Sequence, residues 1–196
     1  FSSLSEYAEN TEVVGREHLD AALEKGNGVI LLSFHMTSLE IGGSLLGKHY
    51  PIHAMYKPNK SPFIESTMRK GRLRHVKDLL KQSDIRGTVK ALKKNKIVWY
   101  ATDQNYGNKS AVFVPFFGVM ASTITATTKF AKLTNATVIP FTQRRVKKGK
   151  GITLEIHPPF EDFPGANESG DALRINQYLE EYLMQYEFST QYLHDQ

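Results

Sequence analysis

Short apolar runs alternate with amphipathic segments along the chain. Continuous runs rich in β-branched and aromatic residues predict buried strands at 29–34, 52–55, 97–100, 137–141 and 152–156. Helical spacing between these runs predicts helices at 15–25, 37–46, 61–70, 84–94, 122–133 and 171–186. Strands that alternate with helices are typical of an α/β fold. We therefore expect a mostly parallel or mixed central sheet that helices cover.

Residues 113–120 are apolar, but Pro115 and Gly118 interrupt them, which predicts an irregular loop lining an apolar space. The sequence of 196 residues contains no repeat, linker or low-complexity tract, so we expect a single domain over residues 1–196. No run approaches the ~18–20 apolar residues that a membrane-spanning helix needs. We therefore expect this domain to lack a membrane anchor.

Charge is distributed very unevenly along the chain, whose formal net charge is +5. Residues 57–96 hold thirteen lysines and arginines against three acids, and a second basic cluster covers residues 144–150. Residues 155–196 hold nine acids and one arginine. The basic block predicts an acidic partner: nucleic acid, anionic lipid, a phosphorylated substrate or an acidic protein. The absence of cysteine excludes a thiol nucleophile and a disulfide scaffold.

The sharpest chemical signal is a histidine followed five positions later by a carboxylate. His35 comes directly after a predicted buried strand, and Glu40 lies in the first turn of the next predicted helix. In α/β sheets, sites collect at the carboxyl ends of strands. We expect the turn to fold Glu40 back onto one imidazole nitrogen, leaving the other as a general base. The spacing alone is equally consistent with a histidine that only bonds a backbone carbonyl.

The residues around this pair resemble the first motif of the lipid A late acyltransferases, the lauroyl and myristoyl transferases of Gram-negative inner membranes, within the glycerolipid acyltransferase superfamily. The resemblance begins with the HX₄E motif in FHMTSLEIGG, at 34–43. It continues, in the family's order, through 56–59, 69–74, 87–94, 98–107, 112–118 and 138–141. It covers residues 10–195 and implies a glycerolipid acyltransferase-like fold.

The resemblance also implies an activity: transfer of a fatty acyl chain from acyl carrier protein to a hydroxyl of a 3-hydroxyacyl chain on a lipid A precursor. His35 would act as the base and Glu40 would orient it. Substrate or oxyanion binding would fall to Arg72, Arg74 and Asp103. The acyl channel would be lined by Phe113, Phe116, Phe117 and Gly118.

No cofactor is implied beyond the acyl donor, which would be the acyl carrier protein thioester or acyl-CoA. The implied partners are acyl carrier protein, the anionic lipid A precursor and the cytoplasmic face of the bacterial inner membrane. The family usually carries an amino-terminal membrane helix and a basic tail, and neither is present in this sequence.

Three other functions are weighed against this one. A glycerophosphate or lysophospholipid acyltransferase would have Asp at position 40 and a Glu-Gly-Thr-Arg-like motif, which is absent. A nucleic-acid-binding domain would interleave stacking aromatics with the basic block, and residues 57–96 do not. An interaction protein derived from the family would be expected to lose His35 or Glu40. No metal site is expected, because His49 and His53 have no third ligand nearby in the sequence.

Overall fold

A computed structural model describes residues 4–104, 110–145 and 151–185. The helices are α1 (Leu4–Glu9), α2 (Arg16–Glu24), α3 (Leu39–Leu46), α4 (Pro62–Arg72), α5 (Ile85–Lys93), α6 (Ala126–Thr134) and α7 (Glu168–Gln185). The strands are β1 (Thr11–Val14), β2 (Val29–Ser33), β3 (Ile52–Tyr56), β4 (Asp78–Lys81), β5 (Ile97–Ala101), β6 (Ala111–Phe116), β7 (Val119–Ile124), β8 (Thr137–Arg145) and β9 (Ile152–Ile156). The carboxyl-terminal part of the 144–150 cluster and the chain after Gln185 lie outside the described residues.

Seven strands form one sheet in the order β1-β9-β8-β2-β5-β3-β4. Every neighbouring pair is parallel except β8 and β9, which are antiparallel. The predicted α/β class with a mostly parallel sheet is therefore confirmed. Both edge strands are absent from the sequence prediction, because each has only four residues and neither is a continuous apolar run.

The core lies on both faces of the sheet, because successive side chains of a strand point to opposite sides. Leu31 of β2 belongs to one buried cluster, together with Leu45 and Leu46 of α3. Ile30 and Leu32 belong to the other, together with Leu92 of α5. This burial on both faces explains why β2 reads as a continuous apolar run. It also fixes where β2 ends, and so where the chemistry-bearing residues after it lie.

The largest departure from the predicted elements concerns residues 111–124. They form an antiparallel hairpin of β6 and β7, paired from Ala111↔Ile124 to Phe116↔Val119. The expectation of an irregular loop at 113–120 is therefore wrong, and the helix expected from residue 122 begins at Ala126. Phe117 and Gly118 form the turn with φ of 47° and 76°. Two positive φ angles in a two-residue turn match the twist of a hairpin, which Gly118 permits without strain.

No helix among the described residues is long and apolar enough to cross a membrane.

Candidate active site

Two strand ends bring His35 and Asp103 together. Strands β2 and β5 are parallel neighbours, and Ser33 is the register partner of Ala101. The pairing continues one step, as the Thr102 amide donates to the Ser33 carbonyl at 3.2 Å. His35 and Asp103 each come two residues after these register partners. The sheet register therefore places them side by side at its carboxyl edge.

The Asp103 carboxylate holds His35 at two points. The His35 backbone amide donates to Asp103 Oδ2 at 2.8 Å, and the imidazole Nδ1 donates to Oδ1 at 2.6 Å. Because an ionised carboxylate only accepts hydrogen bonds, this contact fixes the proton on Nδ1 and leaves the lone pair on Nε2. The Asp103 side chain is 7% exposed and the His35 side chain 34%. The arrangement is a buried carboxylate behind a solvent-accessible imidazole, which is the geometry of an oriented general base.

Glu40 does not occupy the position expected from the sequence. Its carboxylate pairs with the Arg72 guanidinium, whose Nη2 contacts Oε1 and whose Nε donates to Oε2 at 3.3 Å. Among the described residues, no hydrogen bond joins Glu40 to His35, so the expected His35–Glu40 contact is wrong. The physical reason is that α3 begins at Leu39, which turns the Glu40 side chain outward, where it is 64% exposed. The carboxylate that orients His35 comes from 68 residues further along the chain.

The expectation from the sequence is that Asp103 binds substrate, and its contact with His35 is not predicted. A partial signal is present in the sequence: His35 comes directly after the predicted strand 29–34, and Asp103 comes three positions after the predicted strand 97–100. Using it requires knowing that these two strands are neighbours in the sheet, although α3, β3, α4, β4 and α5 come between them in the chain.

Arg72 reaches Glu40 from α4, a helix held to the protein by polar contacts. Tyr56, at the end of β3, donates its hydroxyl to Glu65 Oε1 at 2.6 Å and accepts from Arg69 Nη1 at 2.7 Å. The guanidinium carbons of Arg69 and Arg72 also lie 5.8 Å and 6.0 Å from the Tyr56 ring centroid. These cation–π contacts and hydrogen bonds set the position of Arg72 at the site.

The same contacts shift two titrating groups in opposite directions. Burial, and then the hydrogen bond to Glu65, raise the pKa of Tyr56 above its usual value. The Tyr56 hydroxyl and the Asn59 backbone amide, which donates to Oε2 at 2.9 Å, hold the pKa of Glu65 below its usual range. At neutral pH the tyrosine is therefore neutral and the glutamate charged, which is the pair of states that the contact requires.

Arg74, the other predicted binding arginine, follows α4 and is exposed. Its backbone amide donates to the Gly71 carbonyl at 3.3 Å, and the described residues give its side chain no partner. The structure thus places Arg72, and not Arg74, beside Glu40.

The residues expected to line an acyl channel lie on the β6–β7 hairpin, and only one of the four packs inward. Phe116 is partly buried against the core cluster of β2 and α7, whereas Phe113 and Phe117 are 59% and 43% exposed. A Cβ at Gly118 would meet no atom within 4 Å. A side chain at Gly118 would therefore enter open space, and the assignment of these four residues to an acyl channel stays a prediction.

The described residues contain no group of three or more histidines and acids arranged to hold a metal ion. His49 accepts a hydrogen bond at Nδ1 from Arg16 Nη2 at 3.2 Å, since an arginine can only donate. Burial lowers the pKa of His53 on β3.

Residues 1–195 match the family model of the bacterial lipid A biosynthesis acyltransferases. The chain belongs to this family. Among curated family members, it is 37% identical over 185 residues to the lipid A biosynthesis lauroyltransferase of Escherichia coli, covering 94% of the chain and 60% of that protein. It is 40% identical over 161 residues to a lipid A biosynthesis acyltransferase of Haemophilus influenzae, covering 81% and 51%. The chain thus spans little more than half the length of these relatives.

A solved structure shares the fold. The 1-acyl-sn-glycerophosphate acyltransferase of Thermotoga maritima superposes with a TM-score of 0.51 over 91% of this family member and 75% of that chain, at 16% identity. This likeness confirms the expected glycerolipid acyltransferase-like fold and, at that identity, nothing about the substrate.

Proposed function

We propose that this chain is the catalytic domain of an acyltransferase. It would move a fatty acyl group from acyl carrier protein to a hydroxyl of a 3-hydroxyacyl chain on a lipid A precursor. The observation that carries the proposal is the imidazole of His35, held by Asp103 at two points with its Nε2 lone pair free of that contact. Membership of the family supports the substrate class.

His35 supplies the base that an alcohol acceptor needs. A hydroxyl is a weak nucleophile at neutral pH, so its proton must leave as the oxygen attacks the thioester carbonyl. His35 Nε2 takes that proton, the oxygen–carbon bond forms, and the carbon–sulfur bond breaks. The imidazolium then returns the proton to the departing thiolate. Asp103 stabilises the imidazolium by its charge and keeps the ring aimed throughout.

Glu40 and Arg72 take a binding role in this scheme. Their pair joins the first turn of α3, four residues after His35, to the last turn of α4. Arg72 uses Nε and Nη2 on Glu40, and its remaining guanidinium hydrogens are available to a phosphate or to the oxyanion formed during transfer. Glu40 thus orients Arg72 and not His35.

The carrier protein has a candidate docking surface on α5. An open groove of about 530 Å³ runs along this helix, with apolar walls from Ile85, Val89 and Leu133. Its rim carries four cations: Arg86, Lys90, Lys93 and Lys94. An acidic helix with a row of apolar side chains would match both features. Binding through these cations would weaken as salt screens the charges.

The test is a transfer assay with purified chain, acyl carrier protein thioester and a lipid A precursor, read by mass spectrometry. His35→Ala should lower turnover by about 10²–10⁴-fold. Asp103→Asn should lower kcat by a comparable factor, because the amide can donate to Nδ1 and favour the wrong tautomer. Glu40→Gln should act mainly on KM for the acceptor.

Wild-type turnover in His35→Ala would refute the mechanism. Transfer to glycerophosphate or a lysophospholipid, with none to the lipid A precursor, would refute the substrate class. Equal rates with acyl-CoA and with the carrier protein thioester would refute the donor. Unchanged donor affinity in Lys90→Glu and Lys93→Glu would refute only the docking surface on α5.

A further inference from the structure

Helix α4 packs with its charged side toward the protein and its apolar side toward solvent. An amphipathic helix on a globular protein normally turns its apolar side to the core and its charges to water. Glu65, Arg69 and Arg72 recur at helical spacing on one side of α4, and this charged side faces Tyr56 and Glu40. No residue of α4 is buried.

The apolar side chains of α4 consequently face outward. Phe63 is 81% exposed, Ile64 46% and Met68 37%. Lys70 is also exposed, and at seven residues from Phe63 it lies on the same side of the helix. A protein surface rarely leaves an aromatic ring this exposed beside other apolar groups unless something covers it.

The surroundings of α4 are basic. Lys57, Lys60, Lys70 and Arg74 are exposed, and the described residues show no ion pair for any of them. Apolar groups with lysines on their flanks match the interface of an anionic bilayer, where rings enter the acyl boundary and ammonium groups reach the headgroups.

A second exposed apolar group lies at the same end of the molecule. The ring of Phe34, next to His35, stacks on Tyr178 of α7 with centroids 6.1 Å apart. Two residues further along α7, Glu180 accepts from the Phe117 amide at 2.7 Å. The hairpin turn therefore sits at the His35 edge of the sheet, and it presents Val119 with 71% of its surface exposed.

We propose that the outward side of α4, with the turn of the β6–β7 hairpin, docks the chain on an anionic lipid bilayer. His35 would then lie at the membrane surface, with Arg72 carried on the docking helix itself. The proposal rests on the proposed function in one respect, since a lipid acceptor held in a membrane is what gives this orientation its use.

The test is co-sedimentation of the chain with vesicles of phosphatidylglycerol in phosphatidylethanolamine, with pure phosphatidylcholine vesicles for comparison. We expect binding to the anionic vesicles and at least tenfold weaker binding to phosphatidylcholine. Lys60→Ala/Lys70→Ala should weaken anionic binding roughly thirtyfold, at about 1 kcal/mol for each cation near the surface. The matched control is Lys93→Ala/Lys94→Ala on α5, which should bind as the wild type does.

A second matched pair of residues tests what the apolar side chains contribute to vesicle binding. Ile64 and Ile85 are almost equally exposed, at 46% and 49%, on α4 and α5 respectively. Ile64→Ser and Phe63→Ser should each weaken vesicle binding several-fold, and Ile85→Ser should not. Since these side chains are exposed, all three variants should melt at the wild-type temperature.

Failure of docking and failure of the proposed function are distinguishable. His35→Ala should bind vesicles normally, since it changes only chemistry. Absent vesicle binding, or binding unaffected by the α4 variants, would overturn the docking proposal even if transfer to a detergent-dispersed acceptor is intact. Loss of carrier-protein affinity in Phe63→Ser would overturn it in favour of a protein partner, and loss of self-association would favour a second copy. Vesicle binding that depends on Phe63 in a chain without transfer activity would refute the function alone.

Discussion

Two basic helices, α4 and α5, come from the same stretch of sequence and pack in opposite orientations. Helix α5 buries Thr88 and Leu92 and turns its lysines to solvent. Helix α4 buries nothing and turns Arg69 and Arg72 toward the protein. Both helices lie within residues 57–96, so the net positive charge of that segment does not distinguish their orientations. The difference shows that one basic block can supply both a solvent-facing row of lysines and an arginine beside the candidate active site, and that only the tertiary contacts separate the two.

The largest expected difference between the helices is in activity. Arg72→Ala removes the guanidinium beside Glu40 and leaves that carboxylate without its partner at the proposed substrate site. We expect kcat/KM for the acceptor to fall by about 10²-fold, the usual scale for losing one charged transition-state contact. Arg86→Ala on α5 is the matched control and should leave acceptor kinetics unchanged. Equal losses in the two variants would remove the distinction between an inward and an outward basic helix.

How far the sequence predicts this arrangement depends on whether the signal is local. The five inner strands and most helices are predicted because burial on two faces and helical spacing both leave periodic patterns. The predicted helix at 84–94 begins at a local signal of this kind, since Asp84 caps α5 by accepting from the Gly87 amide at 2.8 Å. The Asp103–His35 contact is missed because it depends on which strands are neighbours. The inward orientation of the charged side of α4 is missed because it depends on Tyr56, which lies on another element.

The next largest expected difference between the helices is in how much each contributes to core packing. Leu92 of α5 is fully buried, so Leu92→Ala should lower the free energy of unfolding by about 2–5 kcal/mol. Phe63→Ala on α4 removes a larger side chain, yet it should change stability by no more than about 0.5 kcal/mol, because the ring is exposed. Urea unfolding of both variants measures this. A destabilisation above about 2 kcal/mol for Phe63→Ala would mean that α4 is packed against the core after all.

A pair of glycines tests the local environment of each helix. A Cβ at Gly71 of α4 would meet nothing within 4 Å, whereas a Cβ at Gly87 of α5 would lie 2.2 Å from Asp84 Oδ2. Gly71→Ala should stabilise α4 by up to about 1 kcal/mol through helix propensity. In Gly87→Ala the same gain should be cancelled, because the Asp84 cap, worth about 0.5–2 kcal/mol, is displaced. Amide hydrogen exchange within each helix reads the difference, and faster exchange in α4 of Gly71→Ala would contradict it.

The smallest effect concerns pH and acts on α4 alone. The pKa of Glu65 is lowered in the folded chain by the Tyr56 hydroxyl and the Asn59 amide, so its contribution is present above its usual pKa and is lost as pH falls through the lowered value. The pKa of Tyr56 is raised by burial and by Glu65, so its contribution is present below pH 10 and is lost as pH rises through the raised value.

Hydrogen exchange of α4, corrected for its intrinsic pH dependence, should therefore show constant protection between these limits and less protection on the acid side. Among the described residues, no hydrogen bond or ion pair joins α5 to this pair, so α5 should keep its protection. Tyr56→Phe removes the hydroxyl that both Glu65 and Arg69 bond, so protection of α4 should fall already at neutral pH. If α4 and α5 lost protection together on acidification, the polar tether would not be what holds α4 in place.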